Sequence, residues 1–153
     1  MADQVLLRRI YLDVCVLSRP FDDQAQARIR LETEAVKLIL SHVKQGSLRL
    51  IVSPIHLIEI EAIGESEERQ TLQRILREMG HRPKFDTLAA RRRAEELTRS
   101  KIGVADAVHL AFAEQSRADF VTVDDRLLKR AQRADLLIWI GSPLEYCEKE
   151  NLR

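Results

Sequence analysis

The chain alternates short apolar runs with longer segments whose apolar residues recur at three- and four-residue steps. The first pattern predicts strands and the second predicts amphipathic helices. RIYLDV at 9–14 is a short apolar strand ending at Asp13. Leu17 to Asp23 (LSRPFDD) reads as a loop, because Pro20 disfavours helix before it and the Asp22, Asp23 pair can cap the next helix. Over 24–45, Ile29, Val36, Ile39, Leu40 and Val43 mark a helical stripe, which Gly46 ends as a C-terminal cap. LRLIVS at 48–53 is a second strand, and Ser53-Pro54 opens a helix that carries Glu59 and ends near Gly64. An amphipathic helix at 66–79 is stopped by Gly80, HRPK turns, and a helix capped by Asp86 runs over 87–100. Gly103 separates that helix from the one carrying Asp106 and His109. ADFVTV at 118–123 is a third strand, DRLLKRAQRA a short helix, LLIWI at 136–140 a fourth strand, and SPLEYCEKENLR a polar tail.

Strands alternating with helices imply parallel pairing, and apolar strands without alternation imply helices on both faces. The expected fold is α/β: a three-layer α/β/α sandwich around a short parallel sheet of four to five strands. No repeat, low-complexity tract or linker divides the 153 residues, so one domain is expected over 1–153, with a core at about 9–141 and a polar tail at 142–153.

Composition narrows the function classes. A hydrophobic fraction of 45% with 32% charged residues fits a soluble globular protein. The net charge of +1 gives no global basic field, although a basic rim beside an acidic site would still attract a phosphate backbone. Two cysteines without a CxxC motif, Cys15 and Cys147, fit a reducing cytoplasm and no disulfide framework. The N-terminal apolar run is broken by Arg8 and Arg9, so it is not a signal peptide, and no stretch approaches membrane-spanning length.

Four acidic residues fall where strands pass into helices, or on the helix just after: Asp13, Glu59, Asp106 and Asp124. A parallel sheet gathers its strand C-termini on one edge, where ligands bind. Taken singly, Asp13, Asp106 and Asp124 each have a helix-capping reading. Taken together, carboxylates on one edge repel unless a cation neutralises them, and the all-oxygen set points to Mg²⁺ or Mn²⁺. His109, three residues after Asp106, reads as a hydrogen-bonded core histidine and not a metal ligand. Arg19 divides between a phosphate contact and a solvated side chain. Arg91 to Arg93, and the run Arg126, Lys129, Arg130 and Arg133, read first as solvated helix faces, and Trp139 as core.

YLDVCVLSRPFDD, SPIHLIEIEA and GVADAVHLAFAEQSRADFVTVDDRLLKRA resemble the PIN-domain family, which includes the VapC-like toxin ribonucleases of bacterial toxin–antitoxin pairs. The resemblance covers about residues 9–141, and its most specific stretch is GVADAVHLA followed by FVTVDDRLL. It implies that Asp13, Glu59, Asp106 and Asp124 are the family's four acidic residues, and that Thr122 is the hydroxyl of its T-x-D motif. Asp125 fits less well than Asp124, because Asp124 holds that spacing. Many members carry a Ser/Thr-Asn pair after the first aspartate, where this chain has Val14 and Cys15. The implied activity is Mg²⁺- or Mn²⁺-dependent hydrolysis of RNA phosphodiester bonds. Asp13 and Asp106 would be direct or water-mediated ligands, Glu59 or Asp124 would orient or deprotonate the attacking water, and Thr122 and Arg19 would be substrate contacts. The implied partners are RNA, a cognate antitoxin and a second copy of the chain, the helices at 24–45 and 66–79 offering apolar stripes. The alternative is a non-catalytic PIN-fold module that binds RNA or protein. A haloacid-dehalogenase-type site needs an aspartate where Cys15 stands, and LRLIVSP offers no receiver-type acceptor aspartate.

Overall fold

The computed structural model describes residues 7–153, so the reading of the first six residues as no signal peptide lies outside the described residues. Its five strands are β1 (Arg8–Leu12), β2 (Leu48–Ile51), β3 (Gly80–His81), β4 (Asp119–Val121) and β5 (Ile140–Gly141). Every pairing is parallel, in the order β3-β2-β1-β4-β5. The chain moves outward from β1 to β3 and then returns to the other side of β1. The order therefore reverses between β1 and β4, where a doubly wound sheet opens its ligand crevice.

The eight α-helices among the described residues are α1 (Val14–Leu17), α2 (Ala27–Lys44), α3 (Pro54–Glu61), α4 (Ser66–Met79), α5 (Thr87–Thr98), α6 (Val104–Gln115), α7 (Asp125–Ala131) and α8 (Pro143–Lys149). Successive strand residues face opposite sides. Ile10 and Leu12 accordingly join the core formed with α2, α3, α4 and α8, while Tyr11 joins the core formed with α5, α6 and Phe120. The three-layer α/β/α expectation holds.

Local chemistry explains most boundaries. Gly46 has φ 85°, and Ser47 and Gly46 donate to the carbonyls of His42 and Val43, the paired bonds of a Schellman cap. Asp86 accepts from the Ala89 N–H at the start of α5. Among the described residues no helix is long and apolar enough to cross a membrane.

Several expectations are corrected. The loop expected from Leu17 to Asp23 contains the end of α1 and a 3-10 turn at Arg19–Phe21, with Pro20 fitting the turn's start. Gly80 stops α4 as expected, donating its N–H to the Leu76 carbonyl as the C-cap residue, and it also begins β3, which the sequence did not show. A Cβ there would lie 2.4 Å from the Leu76 carbonyl oxygen and 2.5 Å from Val52 Cγ2, so the close approach admits only glycine. The strand expected at 136–140 shrinks to Ile140–Gly141, and Leu137 is exposed. The polar tail is helix α8, started by a Ser142/Glu145 capping box and held by the fully buried Tyr146. The apolar stripes on α2 and α4 face mostly the core, through Val36, Ile39, Val43, Leu72 and Leu76, as core packing predicts for most of each.

Candidate functional site

Asp13 follows the last residue of β1, and its N–H donates to the Val121 carbonyl, continuing the ladder to β4. It occupies the N-cap position of α1, yet its side chain makes no capping bond. Its buried carboxylate instead accepts from the Thr122 hydroxyl at 2.9 Å. Thr122 is 0% exposed, and its oxygen also accepts from the Asp124 N–H at 3.1 Å. One hydroxyl thus joins Asp13 to Asp124 across the β1–β4 crevice. The Cys15 sulfur lies 3.5 Å from the same oxygen. Burial, with Asp13 nearby, pushes the Cys15 thiol up to about 12, so it stays protonated at neutral pH.

Asp124 is exposed and caps α7, accepting from the N–H groups of Arg126 and Leu127. The capping reading therefore holds for its Oδ1. Asp125 is tied to the Arg28 guanidinium through both oxygens at 2.8 and 2.9 Å, which agrees with its lesser place in the motif. Asp106 stands in the first turn of α6, after the N-cap Gly103. Burial raises its carboxyl from the ordinary range to about 6, and the charges of Asp13, Asp124 and Glu59 add to the rise while His109 opposes it. Asp106 is therefore within electrostatic reach of the other three acids. Among the described residues, however, no three His, Cys, Asp or Glu side chains stand close enough to chelate one ion.

That electrostatic crowding gives a pH prediction. The native protein binds a proton on Asp106 up to about pH 6, whereas the unfolded chain releases it near 3.8. The native state thus holds more protons in this window, and metal-free stability contributed here falls as pH rises through it. D106N in EDTA should melt above wild type at pH 7.5, and the difference should close by pH 4. A cap or dipole role alone would make the variant less stable at neutral pH.

Glu59 lies on α3 with its side chain 35% exposed and hydrogen-bonded to His109 Nε2. His109 is buried, as expected for a core histidine, but both of its ring nitrogens are engaged by side chains. Its Nδ1 is 2.5 Å from the Tyr11 hydroxyl, which is 2.6 Å from Ser53 Oγ. His56, beside this group, bonds the Leu12 carbonyl through Nε2 at 2.7 Å and the Ser53 N–H through Nδ1 at 3.1 Å. Burial lowers His56 to about 3, so it is neutral.

The two expected substrate contacts sit differently. Thr122 is sealed beneath the acids and positions them. Arg19 directs its guanidinium to the buried Glu32 and to Asp22, a structural tie across the 3-10 turn. Glu32 went unread in the sequence, although it falls between Ile29 and Val36 on the apolar face of α2, where an acid needs a partner. Arg93 is likewise no solvated residue: it grips Glu114 at 2.6 and 3.1 Å.

A family model described as PIN domain matches residues 10–133. Among solved structures, FitAcB from Neisseria gonorrhoeae aligns at TM-score 0.52 and 17% identity, covering 88% of this chain and 98% of that one. FitAB bound to an IR36 DNA fragment aligns at 0.54 and 17%, covering 88% and 94%. VapBC2 from Rickettsia felis, bound to a DNA fragment from their promoter, aligns at 0.54 and 14%, covering 88% and 98%. At such identities the likeness bears on the fold. Among curated proteins nothing matches. The family match runs from β1, which delivers Asp13, through α7, which Asp124 caps, and on that span the chain belongs to the PIN domain family.

Proposed function

We propose that this chain is a divalent-cation-dependent endoribonuclease, and the toxin of a toxin–antitoxin pair acting in the cytoplasm. The observation that carries this reading is the bridge made by Thr122 between Asp13 and Asp124 at the switch of the sheet, with Asp106 and Glu59 brought to the same edge by α6 and α3. All the donors are oxygens, which suits a hard cation. Mg²⁺, or Mn²⁺ in its place, keeps several waters and takes few direct protein ligands, so it needs no closed cage of side chains. Asp13 and Asp106 would hold the ion directly or through water, with Asp124 and Glu59 completing the set. The bound ion would supply a water of lowered pKa and positive charge against the phosphate.

The chain's own residues do the rest. Thr122 fixes the Asp13 oxygen so that its buried charge faces the crevice in one geometry. Glu59 orients or deprotonates the attacking water. Arg126, Lys129, Arg130 and Arg133 surround one groove along α7, and among the described residues none of them has an ion-pair partner. Such a single-sign stripe beginning beside Asp124 suits a phosphate backbone. The FitAB and VapBC2 neighbours, each solved with DNA, support a partner protein as antitoxin. A homodimer belongs to the same reading. The surface for it is the apolar groove of about 340 Å³ between α5 and α6, lined by Val104, Val108 and Phe112 among others.

Purified protein incubated with total RNA should cleave it in Mg²⁺ or Mn²⁺ and stop in EDTA, leaving 5′-phosphate and 3′-hydroxyl ends. Millimolar Mn²⁺ should also raise the melting temperature, because a ligand that binds only the native state stabilises it. Cyclic 2′,3′-phosphate ends, or undiminished cleavage in EDTA, would overturn the metal-nuclease reading. RNA binding without cleavage and without a Mn²⁺ response would favour the non-catalytic module.

A further inference from the structure

Ser53, Tyr11, His109 and Glu59 form one chain of hydrogen bonds spanning the N-terminus of α3, β1, α6 and the exposed side of α3. Its polarity can be read from chemistry. A carboxylate only accepts, so His109 Nε2 carries the hydrogen and donates to Glu59 Oε1. With that tautomer Nδ1 would accept from the Tyr11 hydroxyl, and the Ser53 hydroxyl would donate to the Tyr11 oxygen. Tyr11, Ser53 and His109 are each 1% exposed or less, whereas the Glu59 side chain is 35% exposed. The chain therefore begins in the core and ends at the edge where Asp106 stands, one helical turn before His109.

His56, also buried, is satisfied mainly by backbone: it bonds the Leu12 carbonyl and the Ser53 N–H, with the Ser53 hydroxyl 3.4 Å from its Nδ1. His109 bonds no backbone group. It spends both nitrogens on side chains, in a buried network whose members must all be paired to avoid a desolvation cost. We infer that His109 is a positioning residue for Glu59, holding Oε1 through Nε2–H with a ring orientation set by Tyr11 and Ser53, so that Oε2 is presented to the crevice. This rests on the reading of Glu59 as a member of the cation and water site. It is the arrangement by which partners beyond the ligands typically tune a metal site, their loss costing about 10–100-fold in metal affinity or activity.

The test compares H109L, which fills the volume without a donor, H109Q, which restores an N–H near the Nε2 position, and Y11F, which leaves Nδ1 without its donor. H109L should weaken Mn²⁺ affinity, read from the midpoint of a thermal-shift titration, and lower kcat for RNA cleavage with KM little changed. Each loss should be about 10–100-fold. H109Q should recover most of both, and Y11F should fall between. In metal-free wild type, ¹⁵N-edited NMR of the imidazoles should show His109 as the Nε2–H tautomer. Equal losses in H109L and H109Q, or a lower melting temperature with unchanged Mn²⁺ midpoint and kcat, would reduce His109 to packing and overturn the inference. An Nδ1–H tautomer would overturn it whatever the protein cleaves. A wild type that shows this tautomer but neither binds Mn²⁺ nor cuts RNA would instead bring down the nuclease reading and, with it, a positioning role in catalysis. H109Q and Y11F keep the comparison intact should H109L fail to fold.

Discussion

D13N should lower RNA cleavage by orders of magnitude while raising the melting temperature of the metal-free protein. Asp13 is 7% exposed, and among the described residues no cation pairs with it. Its compensation is the hydrogen bond from Thr122, together with whatever enters the crevice. A desolvated carboxylate without an ion pair costs stability, and asparagine removes the charge at nearly constant shape with its carbonyl oxygen still able to accept from Thr122. The same change removes charge from the set that would hold the cation, so gain and loss should appear in one variant. That opposition is expected where a fold gives up stability to keep a site. A variant that cleaves normally would remove Asp13 from the site. One that loses both activity and stability would make Asp13 a structural residue. Calorimetry in EDTA beside a cleavage assay in Mn²⁺ separates these outcomes.

The second large effect lies far from the acids. Y146A should cost about 3–5 kcal/mol, the usual range for truncating a buried aromatic. Against a typical total of about 5–15 kcal/mol, that brings the protein near unfolding. Tyr146 is 0% exposed, packs on the core shared with α2, and lies 5.8 Å from the Trp139 ring centroid. Its hydroxyl has no hydrogen-bond partner among the described residues, so Y146F should be neutral or stabilising, by about 1–3 kcal/mol at most. Urea unfolding of the two variants measures both signs. A mild Y146A would mean that α8 is dispensable, as a polar tail would be.

The contrast between α8 and the long helices shows what was legible. Over 24–45 the apolar repeat and Gly46 suffice, because local periodicity and a left-handed cap are both encoded in neighbouring residues. SPLEYCEKENLR carries its one large buried anchor among charges, so composition spoke for solvent, and the burial of Tyr146 depends on α2, more than a hundred residues away. β3 was hidden for a similar reason. Its two residues have no strand pattern of their own, and Gly80 is required by the approach of Leu76 and Val52. At the site, the positions of Asp13, Asp106 and Asp124 followed from strand ends and motif spacing. The engagement of Arg19 with Glu32, and of His109 with Tyr11 and Glu59, did not, because those partners meet only once the layers are packed. Thr122 shows the same limit: a threonine just past a strand end reads as open to ligand, and here packing leaves it 0% exposed.

The bridge from Thr122 to Asp13 joins residues 109 positions apart. β1, at the centre of the sheet, finds its second neighbour only when β4 has been made. Such non-local pairing carries a large loop-closure cost before it is rewarded, and it comes late in folding. During synthesis the first half of the chain can therefore collect β1, α2 and β2 without ever assembling the crevice. An emerging or truncated chain that ends before β4 has Asp13 but no Thr122 to aim it. The crevice is assembled only after β4 has been made, which is a useful order of events for a chain whose proposed target surrounds it at the ribosome.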